Sequence, residues 1–152
     1  MTTRAHYKSK TLAAWLALLF GSLGAHRLYL HGRRDIRAWL YPIPTLLGLS
    51  GLIRMRNLGL DDETGTMLLP LLGLSLSMAM VSAIMIALTA DAKWDLQHNR
   101  TEQTRSSGWG AVLAAVVGLF VGGTILTSTL AFGGQRFFEW QTQKATAVDS
   151  EK

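Results

Sequence analysis

Apolar residues fill two long uncharged stretches of the chain, Thr66 to Ala90 and Trp109 to Phe132, while charged residues collect between and beyond them. Each run holds the roughly 20 apolar residues a helix needs to cross a bilayer, and at about 1.5 Å of rise per residue each outreaches the ~30 Å hydrocarbon core. A soluble fold would have to bury two helices that are hydrophobic all round inside 152 residues, too little protein to cover them. The pattern predicts an integral membrane protein.

Two weaker apolar stretches lie upstream. The first, Thr11 to Leu30, keeps an uncharged core only as far as Ala25, about 15 residues or ~22 Å of helix. It spans if His26 and Arg27 sit at the interface, with Arg27 extending into the headgroups and Tyr29 anchoring beside it. The second, Ala38 to Ile53, contains Pro42 and Pro44. These remove helical donors and bias Tyr41 and Ile43 away from helical dihedrals, predicting a kink or a late helix start.

The expected fold is all-α: a polytopic helical membrane protein of about four transmembrane helices. Residues 8–56 form an N-terminal two-helix hairpin, Asn57 to Gly65 a connection, and residues 66–134 a C-terminal pair, with Pro70 in a first-turn position. Residues 135–152 form an interfacial segment carrying Phe137, Phe138 and Trp140 beside Arg136 and Lys144, then a disordered tail from Thr146. An even number of crossings puts both ends on one side. The basic residues then divide about eight to seven, a margin that favours the termini inside only weakly. A cleaved signal peptide is the rival reading of the start, with Arg4, Lys8 and Lys10 before an apolar run.

The chain's one compact motif is Gly21-x-x-Gly24-Ala25-His26-Arg27-x-Tyr29-Leu30, following a basic, Ala/Leu-rich helix and preceding a short basic turn. This pattern resembles the TM2 domain family, named for its two-transmembrane hairpin, over roughly the first third of the chain. Leu28 stands where that family usually has Phe, and Gly32 falls one place late, after His31. The resemblance implies a small multi-pass membrane protein, often bacterial, and no established reaction; a bacterial inner (cytoplasmic) membrane is the expected location.

The motif also has a direct physical reading. Gly21 and Gly24, with Ala13, Ala17 and Ala25, make a small-residue stripe that lets a neighbouring backbone approach. His26 and Arg27 fall where the first helix should end, placing their donors on its last carbonyls. Small residues recur as Ala79, Ala83 and Ala87 in one long run and as Gly110, Ala114, Gly118 and Gly122 in the other, predicting close packing.

Only 16% of residues are charged, and the net charge is +5. Basic residues beside apolar segments meet anionic lipid headgroups, so membrane lipids are expected partners and nucleic acid is not. With no cysteine, disulfides and thiolate chemistry are excluded. No ligand cluster accompanies His26 and His31, and Asp61, Asp62 and Glu63 read as a helix start, so no metal or other cofactor is expected. Trp94 and Trp109 suit the interface. Asn99-Arg100-Thr101 matches a glycosylation acceptor, a pattern too short to carry weight.

No nucleophile set, phosphate-cradling loop or carboxylate pair identifies an enzyme. The expectation is a non-enzymatic membrane component that binds lipid, a membrane-protein partner or a second copy of itself through Gly21, Gly24, His26, Arg27 and Tyr29. A small channel or transporter is the alternative, disfavoured by the absence of charge inside the long runs. An enzyme, with His26 beside Asp35 or Asp91, comes third.

Overall fold

A computed structural model describes residues 7–99 and 105–150, the last five by backbone alone. Arg4, and Arg100 and Thr101 of the glycosylation pattern, lie outside the described residues. Among those described, every regular element is helical. Helix α1 (Lys10–Phe20) starts at Ser9, whose hydroxyl accepts the Leu12 N–H, and passes into a 3-10 turn, Gly21–Leu23. Gly24, at φ 78°, separates this turn from α2 (Ala25–His31), and Gly32, at φ 79°, ends α2.

Helix α3 (Ile36–Leu40) is capped by the Asp35 carboxylate, and α4 (Pro42–Leu58) follows after the single residue Tyr41. Tyr41 keeps helical dihedrals (φ −58°, ψ −41°), contrary to the expected bias. Pro42 sits at the first position of α4, where its missing N–H leaves nothing unpaired. The chain is thus helical enough from Ile36 to Leu58 to count as one 23-residue apolar segment.

Helix α5 (Glu63–Leu88) begins at Asp62, whose carboxylate accepts the Gly65 N–H at 2.7 Å. Pro70 therefore lies inside this helix, two turns beyond the expected position, because the acidic cap starts the helix before the apolar run does. After α6 (Asp91–Trp94) and a π-helical turn, Asp95–Asn99, helix α7 runs unbroken from Gly108 to Ser150. It does not turn at Gly133-Gly134, neither of which has a positive φ. The backbone stays helical over Thr146–Ser150, where the sequence suggested a disordered tail.

Among the described residues three helices are long and apolar enough to cross a membrane: Ile36–Leu58, Glu63–Leu88 and Gly108–Ala145. The fourth expected span is the shorter apolar helix Lys10–Leu23. Helix α5 is the central member, and small residues bring its neighbours close. Gly48 of α4 lies against the Leu72 backbone, and Gly51 would place a Cβ 2.7 Å from the Leu68 Cβ. On the other side, Gly118 and Gly122 of α7 pack over Met80. Ala14, Ala17, Ala83, Ala87, Ala111 and Ala114 form the buried seam where α1, α5 and α7 meet. Apolar tails surround such helices, so close van der Waals contact, not expulsion from water, holds them together.

Candidate functional site

The motif residues build one helical hairpin. Gly21 comes so close to α5 that a Cβ there would stand 2.8 Å from the Ala79 Cβ, and a Cβ on Gly24 would strike the carbonyl of Ala38. Gly24 is doubly constrained, since its left-handed backbone also disfavours any residue with a side chain. The close backbone approach expected from these glycines is what the structure contains.

His26 and Arg27 differ from their expected place. Gly24 closes the first helical run by donating its N–H to the Gly21 carbonyl at 2.9 Å, and its own carbonyl then accepts from Arg27 and Leu28. The two residues therefore open α2 instead of capping α1. His26 is buried edge-on against Tyr41, ring centroids 5.5 Å apart, and its Nδ1 has no hydrogen-bond partner. It bonds to neither Asp35 nor Asp91, the two acids weighed beside it. Arg27 donates from Nε to Asp35 at 2.9 Å, and this guanidinium holds the Asp35 carboxyl below the usual carboxylate range. The Tyr29 hydroxyl accepts the Ser9 N–H at 2.9 Å, and Lys8 donates from Nζ to the Leu30 carbonyl.

A polar clamp that sequence reasoning missed ties the start of the chain to the α5–α7 connection. Lys10 donates from Nζ to the Thr89 carbonyl and pairs with Asp91 at 2.5 Å. Ser107 holds both oxygens of the same carboxylate. Asp95, 1% exposed, accepts from the Tyr7 hydroxyl, the Asn99 amide and the Arg105 N–H. Asp91 is acidified first by Lys10, and Asp95 first by the Arg105 N–H. Trp94 is buried here, donating to the Lys8 carbonyl at 2.8 Å, whereas Trp109 is exposed as an interfacial residue should be. The signal was the presence of Asp91, Asp95, Asn99 and Ser107 in the short polar connection between the two long apolar runs.

Beyond α2 the chain exposes a basic turn, Arg33 and Arg34, with Arg37 on the first turn of α3. Asp35, the nearest acid in sequence, is committed to Arg27 and to capping Arg37 through the backbone. Among the described residues no group of three His, Asp or Glu side chains is placed to hold a metal.

Among the described residues every regular element is helical and three helices have the length and apolar character of membrane spans, the marks of a membrane protein. More particularly, the family model of the TM2 domain matches residues 6–55, in the N-terminal part of the chain. No curated protein and no solved structure matches the chain.

Proposed function

We propose that this protein is a non-enzymatic, multi-pass membrane component that binds anionic lipid through the basic turn its N-terminal hairpin presents. Gly21, Gly24, His26 and Tyr29 are consumed in building the hairpin, and Arg27 in holding Asp35. They position a contact surface instead of forming it. The observation that carries the reading is the exposed trio Arg33, Arg34 and Arg37, displayed on a turn fixed by the Arg27–Asp35 pair and by the left-handed Gly32. Guanidinium groups suit phosphate through paired parallel N–H bonds.

Purification in mild detergent from native membranes, with the retained lipids identified by mass spectrometry, tests this. The parent should enrich anionic over zwitterionic lipid, and the triple variant Arg33→Gln, Arg34→Gln, Arg37→Gln should lose that enrichment while keeping its thermal midpoint. Equal enrichment in both would refute the reading.

A second reading, a small channel or transporter, draws on the interruption of the first helix. Broken helices are a recurrent feature of transport sites. Here the Ser22 carbonyl accepts from Thr45 at 2.8 Å and Thr45 also reaches Ser75 at 3.2 Å, a small polar patch between apolar helices. Flux of a panel of ions into proteoliposomes, above the rate for empty vesicles, would move the assignment to this reading.

A further inference from the structure

We propose that the N-terminal hairpin is re-entrant: α1 enters the membrane to about half its depth and α2 returns to the same face. The chain then crosses only three times, with Lys8 and Lys144 on opposite sides and Lys8 on the cytoplasmic one.

Three distances along the chain establish the depth. Lys10 is anchored at the end of α5, on the Thr89 carbonyl. Eleven residues on, Gly21 meets Ala79, ten residues back along α5, so both paths descend roughly 15 Å of helix. Helix α5 has 26 residues, or roughly 39 Å, which sets the break a little over a third of the way along it, at about half the depth of a ~30 Å hydrocarbon core. From there the chain comes back: by Tyr29 and Leu30 it is bonded to Ser9 and Lys8, where α1 began. The chain then re-enters with α3, passes Gly24 at Ala38, meets Ser75 at Thr45 and reaches the far end of α5 at Leu58.

The interruption is suited to that depth, because irregular backbone is tolerated inside a membrane where protein covers it. Gly21 and Ser22 are buried. The Gly21 carbonyl accepts from Gly24, the Ser22 carbonyl from Thr45, and the Gly24 carbonyl from Arg27 and Leu28.

Re-entry also resolves the charge asymmetry that an even-span arrangement leaves undecided. The face bearing the hairpin's two ends and the α5–α7 connection holds Lys8, Lys10, Arg27, Arg33, Arg34, Arg37, Lys93 and Arg105. The opposite face holds Arg54, Arg56, Arg136 and Lys144. Arg54 bonds Asp62 and Arg136 bonds the Leu60 carbonyl, which fixes those two at one end of the bundle. Among the described residues, eight basic side chains against four orient the hairpin face toward the cytoplasm, where Lys and Arg accumulate.

The test uses single cysteines in this cysteine-free chain, expressed in cells and probed with a membrane-impermeant maleimide before and after permeabilisation. Thr3→Cys, Arg34→Cys and Lys93→Cys should react only after permeabilisation, and Asn57→Cys and Gln141→Cys before it. Thr3→Cys reacting from the side opposite to Arg34→Cys would make α1 a full crossing and overturn re-entry. Arg34→Cys reacting in intact cells would overturn the orientation. Reporter fusions on the parent sequence guard against misfolded variants: an export-dependent reporter after Lys152 should be active, and its inactivity beside an active cytoplasmic reporter at that point would overturn the proposal.

Discussion

The C-terminal helices α5 and α7 meet along a seam of Ala and Gly against Met80 and Ile84, whereas the N-terminal hairpin is held by individual bonds between named groups. Sliding α7 by a turn would exchange one small-residue contact for another of similar kind. The hairpin has no such latitude: Lys10 on Asp91 and the Thr89 carbonyl, Tyr29 on Ser9 and Arg27 on Asp35 are bonds between particular groups that a shifted register would break. A helix long enough to span is placed by its length. A helix too short to span needs explicit anchors to fix its depth, and the hairpin and the α5–α7 connection supply them.

The largest expected effect follows from placing the same bulk on each side of this comparison. Gly24→Leu puts a side chain on a left-handed backbone and into the Ala38 carbonyl, strain plus overpacking of roughly 3 kcal/mol. Folding yield and the thermal midpoint in detergent should fall sharply. Gly123→Leu, at a helical position with nothing within 4 Å, should change stability by no more than about 0.5 kcal/mol. Equal losses in the two variants would mean that the hairpin is no more tightly specified than the C-terminal pair.

A smaller effect comes from acid. Asp35, Asp91 and Asp95 all have depressed folded-state pKa values, caused first by Arg27, Lys10 and the Arg105 N–H respectively. Carboxylates of this kind contribute stability that is complete above their unfolded pKa of about 4 and is lost as pH falls through the lower folded value. Below about pH 4, then, the clamp should loosen while the α5–α7 seam, which has no titrating group, stays closed. Hydrogen exchange followed by mass spectrometry should show residues 7–12 losing protection in that window and residues 79–87 keeping theirs. Parallel loss in both segments would show that the clamp and the seam open as one unit.

How much of this was legible in the sequence divides along the same line. The all-helical membrane fold, the two long spans and their small-residue seam followed from uncharged length and from the i, i+4 spacing of Ala and Gly, which are local properties. Gly21 and Gly24 were readable as close-approach positions for the same reason. The return of α2 was not, because it depends on Gly24 adopting a left-handed backbone, and a Gly in an apolar run is equally compatible with a continuous helix. Nor was the clamp, since Tyr7, Lys8 and Lys10 find partners about eighty to ninety residues away. The role expected for His26 and Arg27 failed because it assumed that α1 continued to them.

The smallest effects should come from the ion pair that fixes the basic turn, and their order is informative. Asp35 does two things: it accepts from Arg27 Nε at 2.9 Å and from the Arg37 N–H at 3.0 Å, starting α3. Arg27 does one of these. Arg27→Lys keeps the charge and can still reach a carboxylate oxygen, so its thermal midpoint should stay near that of the parent. Arg27→Gln loses the charge and should fall slightly, as partly exposed pairs contribute little. Asp35→Ala removes pair and cap together and should fall furthest of the three. Lipid retention separates positioning from contact: if Arg33, Arg34 and Arg37 bind headgroups while Arg27 only braces their turn, Arg27→Lys should retain anionic lipid like the parent. A loss of lipid in Arg27→Lys at unchanged stability would instead place Arg27 itself on the headgroup.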